Sequence, residues 1–549
     1  MKQYKLLLSI LVFTFIAGGC DYLEYDESSY LKKEEVLDEF SRVQKMLTQV
    51  YSQLPHGFGT VDGAMRSCGT DDAVQVNNIS NVVRFTDGTW SATQTIDTQW
   101  EAMYSGIYQA NLFLSSIENK NWDNLKWNDN YNELMEQYVL YQYEARFLRA
   151  YFYFELLRRY GGVPLIKSEL SAEEANKVER ASTQEVADFI IAECNVAISE
   201  LPVTFDGFSN NSETGRATKG AAMALKARTL LYMASPLFNA SGDVSKWSEA
   251  ADAANDIIAL DSYTLEGDYS KVVNNGKSKE LIFGVRQAES VDFEKKNFPI
   301  GYEGGNTGTC PSLNLVNAYE MVDSGLAIDD ENSGYDANSP YVGRDPRLNM
   351  TVILNGSTWK GKVIGVWYGG PNAAPKPNAT RTGFYLKKYV IESVNLNPVS
   401  KKRHEWVLFR LGEVYLNLAE ALNEAQGGPE IADDLGMTAL QAVNMVRQRA
   451  GMPDFPTGMS QDEFRNKLRN ERRVELAFED HRFWDIRRWM IGAETTEIKG
   501  IVAKLNPFGG YVYEEKDVET RVWDEKMNWY PIPQSEIYKN SKLGQNPGW

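Results

Sequence analysis

Glu471, Glu475 and Glu479 recur every four residues, so a helix through this stretch would carry three carboxylates on one face. Paired carboxyl groups are what a glycoside hydrolase needs, one as acid and the other as nucleophile or base. Arg472, Arg473, Arg482, Arg487 and Arg488 are interleaved with them. A guanidinium beside a carboxylate holds it ionised, whereas a general acid needs a raised pKa. The stretch therefore reads as a structural ion-pair network. The histidines, His56, His404 and His481, stand alone, with no HExxH pair and no triad-like pattern. No G-x-S-x-G elbow, Walker loop or G-x-G-x-x-G after a strand occurs. Cys68, Cys194 and Cys310 form no CxxC pair and allow at most one internal disulfide. No 12-residue EF-hand loop declares a calcium ion. No catalytic or cofactor-binding motif is therefore read in the chain.

The elements that would position a binding surface are helical. Trp100, Tyr104, Ile107, Asn111 and Leu114 step along one face, as do Tyr141, Ala145, Leu148, Phe152 and Leu156, which Gly161-Gly162 and Pro164 terminate. Asn111 on its apolar face reads as a helix-packing hydrogen bonder, and Trp100 as core. Thr218 sits where an N-cap belongs, ahead of the alanine-rich run Ala221 to Ala234. Leu408, Leu411, Tyr415, Leu418 and Leu422 make a further stripe, ended by Gly427-Gly428-Pro429. Ala145, Ala227 and Ala419 let helices approach closely. Leu411-Gly412-x-x-Tyr415 followed by Ala419 is a fragment of the tetratricopeptide pattern, although no 34-residue period survives. Two stretches do not read as helix. Gly57 to Gly88 and Glu266 to Val390 are rich in Gly, Asn, Asp and aromatics, with short strands such as Leu281 to Val285. Long irregular insertions on a helical scaffold are usually binding or docking surfaces.

Composition narrows the partners. The 549 residues are 43% hydrophobic and 24% charged, a folded globular balance, and carry a net charge of −18. That field repels a phosphate backbone and argues against nucleic acid. The 13 Trp and 29 Tyr suit a half-polar ligand, though most must be core. At the N-terminus, Lys2 and Lys5 precede the apolar run Leu6 to Ile16, and Ala17-Gly18-Gly19 leads into Cys20. The run is too short to span a bilayer and has the layout of an export signal. Small residues before a cysteine are similar to a bacterial lipobox, with Ala17 where Leu is usual. Residues 1–19 are read as a lipoprotein signal peptide and Cys20 as the acylated first residue of the mature chain. No later stretch reaches 18 apolar residues, so lipid would hold the protein to a membrane.

Several longer motifs carry a family likeness. They are Tyr143-Glu144-Ala145-Arg146-Phe147-Leu148-Arg149-Ala150-Tyr151 leading to Tyr160-Gly161-Gly162-Val163-Pro164-Leu165, and Arg410-Leu411-Gly412-Glu413-Val414-Tyr415-Leu416 with Ala419-Glu420-Ala421. Val446-Arg447-Gln448-Arg449-Ala450-Gly451 follows, then Asn470-Glu471-Arg472-Arg473-Val474-Glu475-Leu476-Ala477-Phe478-Glu479 with Arg482-Phe483-Trp484-Asp485. Tyr530-Pro531-Ile532-Pro533 and Gln545-Asn546-Pro547-Gly548-Trp549 close the chain. Over Cys20 to Trp549 the sequence resembles the SusD/RagB-type lipoproteins, surface glycan-binding partners of TonB-dependent transporters.

That resemblance implies an all-α dominated, tetratricopeptide-like helix-pair scaffold over roughly residues 30–265 and 400–549, in a single large domain from 20 to 549. A large irregular insertion with short strands would occupy roughly 266–400 and bind ligand. It also implies an outer-membrane, lipid-anchored, cell-surface protein that captures oligosaccharide or polysaccharide and passes it to a TonB-dependent transporter β-barrel. The alternatives are an outer-membrane glycoside hydrolase, or a scaffold of the transporter without glycan affinity. A sugar offers apolar C–H faces and a rim of hydroxyls, which call for an exposed aromatic beside Asp, Asn or Arg. The family builds its site from the loop after the first helices and a loop of the insertion. Here the first contains Asp71-Asp72, Asn77-Asn78, Arg84 and Trp90, and the second Tyr302, Asn306, Trp359, Trp367 and Tyr368. Asp72 and Trp90 match the family loop in place and type; the expected ligand-binding set is Asp72, Asn78, Arg84, Trp90, Tyr302, Trp359, Trp367 and Tyr368. Trp90 lies in a stretch that no helical stripe claims, which favours a stacking platform over a core position.

Overall fold

The computed structural model describes residues 37–55, 57–78, 80–206, 215–432 and 436–549, so the expected signal, Cys20 and His56 lie outside the described residues. The scaffold is built from α1 (Phe40–Tyr51), α2 (Gln99–Ile117), α3 (Tyr131–Tyr160), α4 (Thr183–Glu200), α5 (Lys219–Ala234), α6 (Ser245–Ala259), α7 (Leu411–Gln426), α8 (Ala439–Ala450), α9 (Gln461–Glu475) and α10 (Arg482–Arg488). Successive members pack on one another from α2 through α6, then α6 on α7 and α7 on α8 and α9. This nearest-neighbour stacking is the helix-pair scaffold that the family resemblance implies. No described helix is long and apolar enough to cross a membrane.

Local chemistry sets the helix ends. Ser182, Thr438 and Ser460 form capping boxes with Glu185, Gln441 and Glu463. The Thr218 hydroxyl accepts from the Ala221 amide at 3.3 Å, and Gly161 ends α3 at φ 70°. Trp100, Ile107 and Asn111 are buried along α2. Gly106 is needed there because a Cβ would lie 2.6 Å from the Phe152 ring of α3. Asn111 donates to the Ile166 and Ser168 carbonyls and accepts from Arg149, the hydrogen-bonding role its position predicts. The stripe from Leu408 divides: Leu408 belongs to a strand, and the helix begins only at Leu411.

Strands join what the sequence separates. β1 (Ala73–Gln75) pairs antiparallel with β3 (Thr309–Pro311), with Val74 opposite Cys310, and ties the first irregular stretch to the insertion. β2 (Leu281–Arg286) pairs antiparallel with β4 (Glu405–Arg410), so the excursion between them leaves and returns at one place. A last hairpin, β5 (Glu497–Leu505) with β6 (Tyr511–Thr520), carries Phe508 at its exposed turn. One continuous core runs through scaffold and insertion alike. Cys68, Cys194 and Cys310 are buried free thiols, so the one disulfide the count allowed is not formed.

Candidate functional site

The two irregular stretches meet in an open cleft of ≈ 460 Å³. Asp62, Gln75, Asn77, Ser80 and Asn81 line it from the first stretch, and Lys296, Asn297, Asn306, Thr309 and Asn378 from the insertion. The β1–β3 pairing sets Gln75 opposite Thr309 and so fixes the two walls in register. Asn297 is buried and rigid, donating to the Phe293 carbonyl and accepting from the Thr309 amide. Gly308 takes φ 47°, and a Cβ there would lie 2.4 Å from the Lys296 carbonyl, so only glycine closes this wall. Asp62, Asn81, Lys296, Asn306 and Asn378 are exposed around it. The lining is amide, hydroxyl and charge, a donor and acceptor array suited to hydroxyl groups.

The expected binding residues divide sharply. Asp72 is fully buried, and its carboxylate accepts from Arg473 Nε at 2.7 Å. Asp71 takes Arg482 with both oxygens at 2.9 Å. The pair clamps the loop to α9 and α10, which removes Asp72 from ligand contact. Trp90 is 2% exposed, against Trp549 at 4.6 Å and Phe85 and Tyr530 at 5.1 Å. It is a core residue, because the C-terminal segment folds back over it. Trp359 is 1% exposed beneath Phe298, and its carbonyl accepts the Tyr302 hydroxyl at 2.6 Å. Trp359 is likewise core, and Tyr302, half-buried, ties down its backbone. Arg84 is half-buried and Asn78 exposed; neither lines the cleft, although Asn77 does. Trp367 is half-buried and meets Tyr511 of β6 at 5.4 Å, while Tyr368 is 78% exposed. These aromatics stand on the insertion and hairpin, and none lines the amide cleft.

Asp62, Ser80, Asn81, Lys296, Asn378 and Tyr511 were not singled out by sequence. The Asn-rich composition of both stretches was the available signal, since it marked the walls without choosing among their residues.

The acidic helix face resolves into ion pairs. Glu475 is bonded by Arg347, Arg410 and Arg449, Glu471 by Arg347 and Arg447, and Glu479 by Arg410 and Lys388. Burial alone would raise these carboxyls, but the cations outweigh it and hold all three low. Two details differ from expectation. The helix ends at Glu475, so Glu479 reaches the network from a turn in which Phe478 and Asp480 have positive φ. The interleaved arginines pair elsewhere: Arg472 with Asp485, Arg473 and Arg482 with Asp71, Arg488 with Glu420, while Arg487 lies over the Phe483 ring. Among the described residues no group of three His, Cys, Asp or Glu side chains could hold a metal ion.

A sequence model of the SusD family matches residues 268–549, half of the chain, including the cleft's insertion wall and the ion-pair network. The chain belongs to the SusD family. A second model, described as starch-binding and associating with the outer membrane, matches residues 21–231. A SusD-like protein of Formosa agariphila is 24% identical, the match covering 97% of each chain. A solved SusD-like protein of Bacteroides fragilis is 28% identical with a TM-score of 0.78, covering 94% of this chain and 98% of its own. A second structure from that organism, named a SusD-like carbohydrate-binding protein, is 26% identical with a TM-score of 0.76, covering 93% and 100%. In this SusD-family chain the motif arginines are therefore framework. Arg410 and Arg347 bridge β4 and the insertion to α9, so the motif carboxylates Glu471 and Glu475 take part in fastening the insertion to the helices.

Proposed function

We propose that the protein is an outer-membrane surface lipoprotein that captures oligosaccharide or polysaccharide without cleaving it and delivers it to a partner TonB-dependent transporter. The observation that carries this reading is the amide-lined cleft between the two irregular stretches. Side-chain amides donate and accept together, as a ring of sugar hydroxyls requires. Exposed Tyr368, beside the Trp367–Tyr511 pair, supplies a face for the apolar side of a sugar ring. The family descriptions and the carbohydrate-binding relative support the same ligand class. Hydrolysis would need two carboxyl groups facing the ligand, and Asp62 is the one acid among the described residues that line the cleft. A lipid on Cys20 would hold the protein at the membrane, and a broad face would cap the barrel. The test is retardation of the protein in native gels containing starch, laminarin, xylan or pectin, with reducing ends measured in parallel. Retardation without new reducing ends is the expected result. Release of reducing ends would establish the hydrolase instead, and no retardation by any glycan would leave a scaffold of the transporter.

A further inference from the structure

Away from the loops, the helical scaffold holds an open cleft of ≈ 800 Å³ that shares no residue with the amide cleft. The end of α5, Trp247 of α6, Glu420 and Glu424 of α7, residues 462–469 of α9 and the Trp489-Met490 turn after α10 surround it. Its charges are paired with one exception. Glu420 accepts both Arg488 amino groups, at 2.6 and 2.7 Å, and the Trp489 indole N–H at 2.7 Å. Glu424 takes Arg465 through two bonds at 2.5 and 2.6 Å, and Arg465 also holds Asp462. Arg469 lies over the Trp489 ring at 4.7 Å and makes no hydrogen bond or ion pair among the described residues. Arg488 lies 4.6 Å from the same ring. Burial pulls the Arg469 guanidinium below the usual arginine range, while Glu420 and Glu424 raise it and Arg488 and Arg465 lower it. A planar cation at the wall of an open cleft, with its hydrogen-bond donors unspent among the described residues, can take up a further carboxylate beside the field of Glu420 and Glu424.

The remaining lining specifies what kind of anion. Trp247 is half-buried and lines the cleft, and Asn466 is exposed beside Arg469 on α9 with no hydrogen bond among the described residues. An aromatic face, a spare amide and an unpaired guanidinium match a pyranose ring, its hydroxyls and a carboxylate. The volume is within the ordinary range for a small-molecule site. We propose that this scaffold cleft is a second saccharide site, selective for acidic sugars, in which Arg469 receives the uronate carboxylate, Trp247 faces the ring and Asn466 bonds its hydroxyls.

The test is calorimetry on the full-length protein in detergent, with tetragalacturonate, tetraglucuronate and tetramannuronate as probes. At least one should bind, and its methyl ester should bind roughly tenfold or more weakly, because the charge-assisted bond is lost. Arg469→Gln and Trp247→Ala should each weaken that binding by a similar factor. Arg469→Gln should leave retardation by whichever neutral glycan retards the protein at its wild-type value, which separates this site from the one proposed above. Asn466→Asp, an exposed change that puts a negative charge beside Arg469, gives an independent reading if Arg469→Gln folds poorly and should also weaken binding. Failure of all three uronates to bind at millimolar concentration overturns the proposal, as does undiminished affinity in Arg469→Gln or Asn466→Asp. Tetraglutamate binding as tightly as the uronates would overturn the saccharide assignment and make the cleft a docking point for peptide carboxylates.

Discussion

Arg473 of α9 donates from Nε to the carboxylate of Asp72 at 2.7 Å, joining a loop residue to a helix residue 401 positions later in the chain. Both side chains are removed from solvent, Asp72 completely. Asp72→Ala should therefore destabilise the fold, by about 3–5 kcal/mol for a broken buried pair. Chemical denaturation should report that loss, while glycan retardation of the folded fraction stays at the wild-type value. Loss of retardation with an unchanged denaturation midpoint would return Asp72 to the ligand.

Trp90 should behave in the same way. Truncation to alanine empties a pocket walled by Phe85, Tyr530 and Trp549, at a cost of about 3–5 kcal/mol. A melting temperature well below wild type with intact glycan binding is the expected pair of results.

The amide cleft makes the opposite demand. Asn81→Ala and Lys296→Ala remove exposed side chains, so melting should barely move. Each should weaken glycan retention by about 0.5–1.5 kcal/mol per hydrogen bond lost. Tyr368→Ala, also exposed, should weaken it by about 1–3 kcal/mol if it stacks on sugar as aromatics do on bases. Affinity electrophoresis on the responsive polysaccharide measures all three.

Acid should unfold the protein through its buried carboxylates. Glu420 is buried; burial would raise its pKa, but Arg488 outweighs that and brings it from 4.5 to about 2. A carboxyl lowered on folding stabilises above its unfolded pKa, and that contribution is lost as pH falls from about 4.5 towards 2. The difference corresponds to about 3 kcal/mol. Urea midpoints should fall across this window and the fall should be shallower in Glu420→Gln. An equally steep fall in the variant would remove Glu420 from the acid response.

The proposed anchoring rests on Cys20. Cys20→Ala should move the protein from the membrane fraction to the soluble fraction with its fold unchanged, because acyl chains contribute roughly 0.8 kcal/mol per buried CH₂. Fractionation followed by immunoblotting decides it; a variant that stays with the membrane refutes lipidation.

The sequence by itself determined several of the helices, the Thr218 cap and the family. The helical features are local: a 3.6-residue stripe, a capping threonine and a terminating Gly161 act within one or two turns, so each can be read where it stands. The same holds for the two irregular stretches, whose Gly- and Asn-rich composition marked both walls of the cleft. Which residues of those walls face ligand was decided only by tertiary structure. Trp90 looked available because no stripe claimed it and Trp359 because of the composition of its insertion, yet Trp549 covers the first and Phe298 the second. Asp72 looked like a sugar ligand until Arg473 arrived from the far end of the chain. Arg469, one residue ahead of the Asn470 motif, carried no signal in the sequence, and only the packing of α9 beside Trp489 left it without a hydrogen bond among the described residues. Burial and charge pairing depend on contacts between residues hundreds of positions apart, and spacing along the chain does not encode them.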